Sequence, residues 1–303
     1  MSSAYLVSAG PQLDEAFRLR DAVFVHEQGV APELEQDGRD AAAEHAVVVD
    51  DGRVMATARM LIEGTGDDAV AIVGRVAVVA AERGAGYGLA VMDVLERRAG
   101  ELGLPLVELH AQVAVEGFYD RLGYVSVGER YLEAGIEHVT MRKELLPGLR
   151  PVRDEDGPAL ERLIESCWSE YPGCVMDVDN EEPWLRAPAT AYAEKKGALW
   201  VTGDLLACVG VRPLADRVVE LKSLYVAAAA RRGGLGGRLV RRAERWAREY
   251  GAQRIELWSD TRFLDAHRLY QRLGYEFTGV SRDLHDLSNT TEYELVRERL
   301  TPA

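Results

Sequence analysis

The chain repeats itself, and that limits what it can fold into more than any other feature. Arg83-Gly84-Ala85-Gly86-Tyr87-Gly88 and Arg231-Arg232-Gly233-Gly234-Leu235-Gly236 share the pattern R-x-x-G-x-G, 148 residues apart (231 − 83). A second pattern, "FYDRLGY" at 118–124 and "LYQRLGY" at 269–275, recurs after 151 residues (274 − 123). Chance readily supplies one such match; two motifs in the same order at nearly the same interval point to a duplicated domain. A length of 303 residues is enough for two domains, each with its own core. The boundary is expected in "LLPGLRP", 145–151, where Pro147, Gly148 and Pro151 interrupt regular structure, giving domains at 1–146 and 149–303.

Local pattern agrees between the copies. "AIVGRVAVVA" and "VVELKSLYVA" are β-branched and apolar and read as strands entering the glycine segment. "GYGLAVMDVLERRAGEL" and "GLGGRLVRRAERWAREYG" carry apolar residues at helical spacing and read as helices leaving it. Short strands "PLVELHAQ" and "RIELWSD" follow, then helices "VEGFYDRLG" and "DAHRLYQRLG", each stopped by a glycine suited to a left-handed cap. Two final strands per copy complete an α/β fold with a mixed sheet.

A strand, a glycine turn and a helix start form an anion site. The first helix amides lack partners, the helix dipole favours negative charge there, and glycines admit a phosphate to the backbone. The segment is neither a Walker A loop nor a dinucleotide fingerprint. Other classes are excluded more simply. Residues 1–150 hold 14 Lys+Arg against 25 Asp+Glu and the remainder 22 against 25, so neither half carries the basic footprint of a nucleic-acid binder. No apolar run approaches the roughly 18 residues of a membrane span, and the first residues show no signal peptide, so a cytoplasmic location is expected. Cys167, Cys174 and Cys208 form no CxxC pair and the six histidines no metal-binding pattern, so no metal is expected.

These motifs resemble those of the GCN5-related N-acetyltransferase (GNAT) superfamily, and the resemblance covers both halves. With "RDAVFVHEQGV", "GRVAV", "HAQ" and "GIEHVTM", the first half is similar to the ElaA-like branch. The resemblance implies two tandem acyl-CoA N-acyltransferase domains that use acetyl-CoA as co-substrate. Its pyrophosphate would lie on Arg83, Gly84, Gly86 and Gly88 in one copy, and on Arg231, Arg232, Gly233, Gly234, Gly236 and Gly237 in the other. The pantetheine arm would pair with Val76, Ala77 and Val78 or with Leu224, Tyr225 and Val226. Gln112 stands where the family often has a CoA-contacting Asn. Tyr119 and Tyr270 would protonate the departing thiolate.

Acetyl transfer to an amine also needs a group that takes the amine's proton. The family's carboxylate for this lies four residues ahead of the pantetheine triplet: Glu220 in the second copy, Ile72 in the first. An apolar side chain accepts no proton, so the second domain is expected to be catalytic and the first to bind CoA as a support or to acylate something else. His267, three residues before Tyr270, is a weaker candidate, and Lys222 is a competing partner for Glu220. Glu108 and His110 are substitute bases in the first copy only by proximity. The segment 167–197, rich in Trp, Tyr and acids, sits where the family builds its acceptor pocket, with Asp177, Asp179, Glu181 and Glu182 as groups that suit a cationic amine. The expected reaction is acetyl transfer to a primary amine of a small molecule by direct attack on the thioester. Protein lysine or N-terminal acetylation, and a non-catalytic CoA-binding sensor or scaffold, are the alternatives. Oligomeric state is left open, with a homodimer compatible.

Overall fold

A computed structural model describes residues 2–300. The chain divides between Leu145 and Leu146 into two compact units. In the first, β1 (Ser3–Val7) leads to α1 (Pro11–Arg20), a π-helical turn (Asp21–Glu27) and the short α2 (Pro32–Glu35). Strands β2 (Glu44–Asp50), β3 (Arg53–Glu63) and β4 (Val70–Val78) follow, then α3 (Tyr87–Glu101) and β5 (Leu106–Gln112). The unit closes with α4 (Glu116–Arg121), β6 (Val125–Glu133) and β7 (Ile136–Glu144). The strands form one sheet in the order β1-β2-β3-β4-β5-β7-β6, in which only β4 and β5 run parallel. Local chemistry sets its turns. Asp51-Gly52 and Ala134-Gly135 are two-residue links with positive φ at both positions (48° and 74°; 49° and 77°), the twist that a tight hairpin requires.

The second unit repeats the plan. It contains β8 (Arg150–Pro151), α5 (Gly157–Trp168), α6 (Pro188–Glu194), β9 (Ala198–Val201), β10 (Ala207–Ala215) and β11 (Val218–Val226). Then come α7 (Leu235–Glu249), β12 (Arg254–Asp260), α8 (Leu264–Arg272), β13 (Glu276–Asp283) and β14 (Thr291–Glu298). Read from β8, its order β8-β9-β10-β11-β12-β14-β13 is that of the first sheet. One expectation needs amending. Pro151 does not break regular structure: it pairs with Trp200 as an edge strand, where its missing N–H costs no ladder bond. Segment 167–197 holds the end of α5, a 3₁₀ turn at Pro183–Arg186 and α6.

Each helix after the glycine segment packs on the sheet through its apolar stripe. Val91, Met92 and Leu95 of α3 are buried against Ala58, Met60 and Leu109, and Leu239, Val240 and Ala243 of α7 against Val209, Val219 and Ile255. Burying one such large side chain stabilises the fold by about 1.5–3 kcal/mol. On the strands before and after the glycine segment, alternate residues therefore face this core. The others, including Ile72, Glu108 and His110 or Glu220, Glu256 and Trp258, point to the opposite face.

Candidate active site

The two parallel strands of each sheet pair over only three residues. β4 meets β5 at Ala71–Val73 and β11 meets β12 at Val218–Glu220; beyond these points the strands continue unpaired with each other. A β-bulge accompanies each parting. Across from a single residue on the neighbouring strand, β4 places Arg75 and Val76, and β11 places Ser223 and Leu224. Arg75 (φ 54°) and Ser223 (φ 50°) adopt the left-handed conformation that disfavours side-chain-bearing residues, and their surroundings hold them there. The Arg75 guanidinium donates to the carbonyls of Leu34 (2.6 Å) and Glu35 (3.3 Å). Ser223 Oγ shares a 2.9 Å hydrogen bond with the Tyr192 hydroxyl, and its carbonyl accepts from Cys208 Sγ. Val76–Val78 and Leu224–Val226 thus stay hydrogen-bonded on one edge and open on the other, as an inserted extended arm requires.

At the end of each open strand lies the glycine segment. Gly86 (φ 91°) and Gly234 (φ 81°) are the N-caps of α3 and α7, and no side chain caps either helix. A Cβ at Gly84, Gly86, Gly233 or Gly234 would meet nothing within 4 Å, so the space over these amides is open. This cradle fits a diphosphate. Gly88 and Gly236 have a different surrounding. A Cβ there would lie 3.3 Å from Phe118 or Leu269, so these two let the helix start pack on the later helix. Gly237, with Leu269 at 3.8 Å, tolerates ordinary contact. The left-handed position of Gly84 (φ 87°) is occupied in the second copy by Arg232 (φ 69°).

The first arginine of each motif is already engaged. Arg83 grips Glu27 through two 2.7 Å bonds, and Arg231 grips Glu170 at 2.6 and 2.7 Å while Nε donates to the Val226 carbonyl at 2.8 Å. In both units this arginine ties the helical segment after the first strand to the loop. Gln112 donates to Gln28 at 2.8 Å, a similar tie.

Tyr119 and Tyr270 lie on α4 and α8, 7 % and 5 % exposed. Burial pushes both hydroxyls up, that of Tyr119 to about 12, so each stays protonated at neutral pH. Neither hydroxyl makes a hydrogen bond among the described residues, and neither is among the fully sealed polar atoms. Glu220 is buried on β11, and its Oε2 accepts from Arg212 Nε at 2.5 Å, whereas Oε1 makes no hydrogen bond among the described residues. The competitor of Glu220 for a cation is therefore Arg212, its cross-strand neighbour, and not Lys222. His267 is buried against Phe277 and Tyr293, and burial lowers its pKa.

Most acids of segment 167–197 already have partners, within the segment or on the loops beside it. Asp177 accepts from the amides of Asp179 and Asn180, Asp179 pairs with Arg186, and Glu181 accepts from the Leu287 amide. Glu182 is partly buried. It accepts from Trp184 Nε1, and burial pushes its carboxyl up despite Lys222 nearby. The indole of Trp168 donates to the Tyr225 hydroxyl at 3.2 Å, bringing the segment onto the open strand. In the first unit the corresponding face is covered by a charge cluster. Arg20 and Arg59 bind Glu35, Asp37 and Asp40 at 2.5–3.1 Å beneath the Arg75 bulge.

Sequence reading missed Glu256, which stands beside Glu220 in the parallel register, as Glu108 stands beside Ile72. Burial pushes the Glu256 carboxyl up. The signal was present: "VEL" and "IEL" keep a carboxylate within an apolar strand in both copies.

Comparison with known proteins agrees with this geometry. Residues 11–145 match the acetyltransferase (GNAT) domain and residues 158–275 the acetyltransferase (GNAT) family. The chain is 35 % identical over 134 residues to the uncharacterized N-acetyltransferase YjcF of Bacillus subtilis, covering 44 % of this chain and 93 % of YjcF. It is 32 % identical over 142 residues to YyaT of the same organism, covering 46 % and 93 %. The crystal structure of Escherichia coli ElaA is 32 % identical over 48 % of this chain and 99 % of its own, with a TM-score of 0.41.

Proposed function

Because the chain belongs to the acetyltransferase (GNAT) family, whose co-substrate is an acyl-CoA, we propose that its second unit moves an acetyl group from acetyl-CoA to the primary amine of a small molecule. The observation that carries this reading is the pair Glu220 and Tyr270. One is a carboxylate on the strand just before the parting with one oxygen unengaged among the described residues; the other is a protonated hydroxyl with no partner among them.

On this reading the amides at Gly233 and Gly234, with Arg232, hold the diphosphate, and the open edge of Leu224–Val226 holds the pantetheine arm. Arg231 braces the loop through Glu170 instead of meeting phosphate directly. Glu220 Oε1 takes the proton of the acceptor amine, directly or through one water. As that proton leaves, the neutral amine's lone pair forms the C–N bond at the thioester carbonyl and the C–S bond breaks with its electrons on sulfur. Tyr270 supplies the proton that makes a thiol, and Glu220 and Tyr270 return to their starting states by exchange with water. Glu182, between Trp184 and Lys222, supports a pocket for a compact acceptor bearing an amine.

The test is release of free thiol from acetyl-CoA over a panel of primary amines. Glu220→Gln and Tyr270→Phe should each lower kcat of the second unit by roughly 10²–10⁴-fold, with little change in KM for acetyl-CoA. Tyr119→Phe should leave that turnover intact. Full activity in both second-unit variants would move the chemistry elsewhere.

A further inference from the structure

The first unit lacks a carboxylate at Ile72, yet it is not without proton-transfer groups. Next to Ile72 in the parallel register stands Glu108 on β5, with His110 two residues further toward the parting of the strands. Val107, Leu109 and Ala111 face the core, so Glu108 and His110 share the opposite face, the one Ile72 points to. Nδ1 of His110 meets the Tyr131 hydroxyl, and its Nε2 lies 3.7 Å from Glu108 Oε1. Glu108 is itself steadied by Arg142 Nε at 2.7 Å. Tyr131 sits across the hairpin from His138, which in turn sits across from Gln112, and the Tyr131 and His138 rings stack with centroids 6.1 Å apart. These groups form a chain, Arg142–Glu108–His110–Tyr131, along the β5 side of the cleft.

At these places the second unit keeps the carboxylate but not the histidine or the tyrosine. Matched by register, Glu108, His110, Gln112 and Tyr131 correspond to Glu256, Trp258, Asp260 and Arg282. There Arg282 lies over the Trp258 ring at 4.1 Å and pairs with Glu292 at 2.6 Å. The second unit therefore has a carboxylate on each of its two parting strands, Glu220 on β11 and Glu256 on β12, whereas the first has Ile72 on β4 and gathers its proton-accepting groups in the histidine–tyrosine chain on the β5 side.

We propose that the first unit is a second acyl-transfer centre in its own right, with Tyr131 as the group offered to the acceptor amine and His110 and Glu108 as the residues that position it and carry its proton. Burial, with Glu133 and Glu108 nearby, holds the Tyr131 hydroxyl in its protonated form, against the opposing hydrogen bond to Thr140. A protonated hydroxyl donates to Nδ1, which leaves the ring proton on Nε2 facing the Glu108 carboxylate. The amine proton passes to Tyr131 Oη as the tyrosine proton moves to Nδ1, and the imidazolium so formed is held by Glu108. The amine lone pair forms the C–N bond, the thioester C–S bond breaks with its electrons on sulfur, and Tyr119 protonates that sulfur. The imidazolium and Tyr119 return to their starting states by exchange with water. A hydroxyl–imidazole–carboxylate chain of this kind orients the imidazole and sets which ring nitrogen carries the proton.

The test uses the full chain carrying Glu220→Gln, with acetyl-CoA and tryptamine, spermidine and L-lysine ethyl ester as acceptors. Thiol release above the enzyme-free blank is expected to persist. Adding His110→Phe or Tyr131→Phe should then lower kcat of that residual turnover at least ~100-fold while KM for acetyl-CoA stays within about twofold. A merely structural role would instead move the melting temperature and KM. A Glu220→Gln chain that releases no thiol with any of these amines overturns the proposal, as does residual turnover indifferent to His110→Phe. The first of those results leaves the reading of the second unit standing. Turnover that survives Glu220→Gln undiminished but disappears with His110→Phe would overturn that reading and keep this one.

Discussion

Gly210 allows a sharp test of how the second cleft is kept open. It lies on β10 with ordinary strand geometry, so alanine brings no backbone strain; the difficulty is space. A Cβ there would stand 2.6 Å from Cε1 and Cζ of Tyr192, and closer still to its hydroxyl. Carbon atoms prefer about 3.5–4 Å, so the ring has to move by about 1 Å. Tyr192 is buried, edge-on to Trp184 at 5.7 Å, and its hydroxyl bonds Ser223 at the bulge. Overpacking of this kind costs about 1–3 kcal/mol and the lost hydrogen bond about 0.5–1.5, offset by about 0.4–1 from the stiffer unfolded chain. The net is about 0.5–4 kcal/mol, or roughly 1–16 °C in a domain of this size. All five tryptophans, 168, 184, 200, 246 and 258, belong to the second unit, so tryptophan fluorescence follows its unfolding alone. Gly210→Ala should melt earlier by that amount and raise KM for acetyl-CoA, because Ser223 loses its tether. Tyr192→Leu is the control: the double variant should cost at least ~1 kcal/mol less than the two singles together. Strict additivity, or a shift below about 1 °C, would refute the clash.

Further outcomes follow from the loops and the charge cluster. Arg232→Gly relieves a left-handed side-chain-bearing residue, so the second unit should melt at the same temperature or slightly higher while KM for acetyl-CoA rises about tenfold; an unchanged KM would separate this guanidinium from the diphosphate. In the first unit, the hydrogen bond from Arg59 holds the Asp37 carboxyl below its ordinary 3.8. A folded value below the unfolded one gives stability that is present above about pH 4 and lost as pH falls further. Calorimetry of the transition not seen by tryptophan fluorescence should therefore be flat from pH 7 to about 5 and drop below about 4. Asp37→Asn should lower that transition at neutral pH and flatten the acid drop, and an equal drop would remove Asp37 from the cause.

Much of the fold could be read from residues because its signals are local. The paired motifs placed both glycine segments, the β-branched apolar runs "AIVGRVAVVA" and "VVELKSLYVA" marked the strands entering them, and Gly123 (φ 87°) and Gly274 (φ 91°) cap α4 and α8 as their positions suggest. What escaped reading depends on contacts distant in sequence. Nothing about Arg75 or Ser223 marks a bulge, because neither is a glycine and each is held by partners 15–41 residues away. The Arg83–Glu27 and Arg231–Glu170 pairs join residues 56 and 61 apart, so the same arginines read alone as phosphate ligands. The acids of segment 167–197 look alike in sequence, and only packing separates Glu182 from the others.

The parting of the strands leaves each unit with a sheet that is unfinished from within. Proteins ordinarily guard a free strand edge with charges, prolines or a covering helix, since an unguarded edge recruits other chains. Here Val76–Val78 and Leu224–Val226 carry such an edge at the base of a cleft, where another chain has difficulty entering and a thin extended arm does not. A ligand that completes the edge acts as a missing piece of fold and stabilises by mass action, about 2.7 kcal/mol at a hundredfold excess over Kd. If both edges take the pantetheine arm as proposed, the chain's resistance to unfolding becomes a running measure of how much acyl carrier surrounds it.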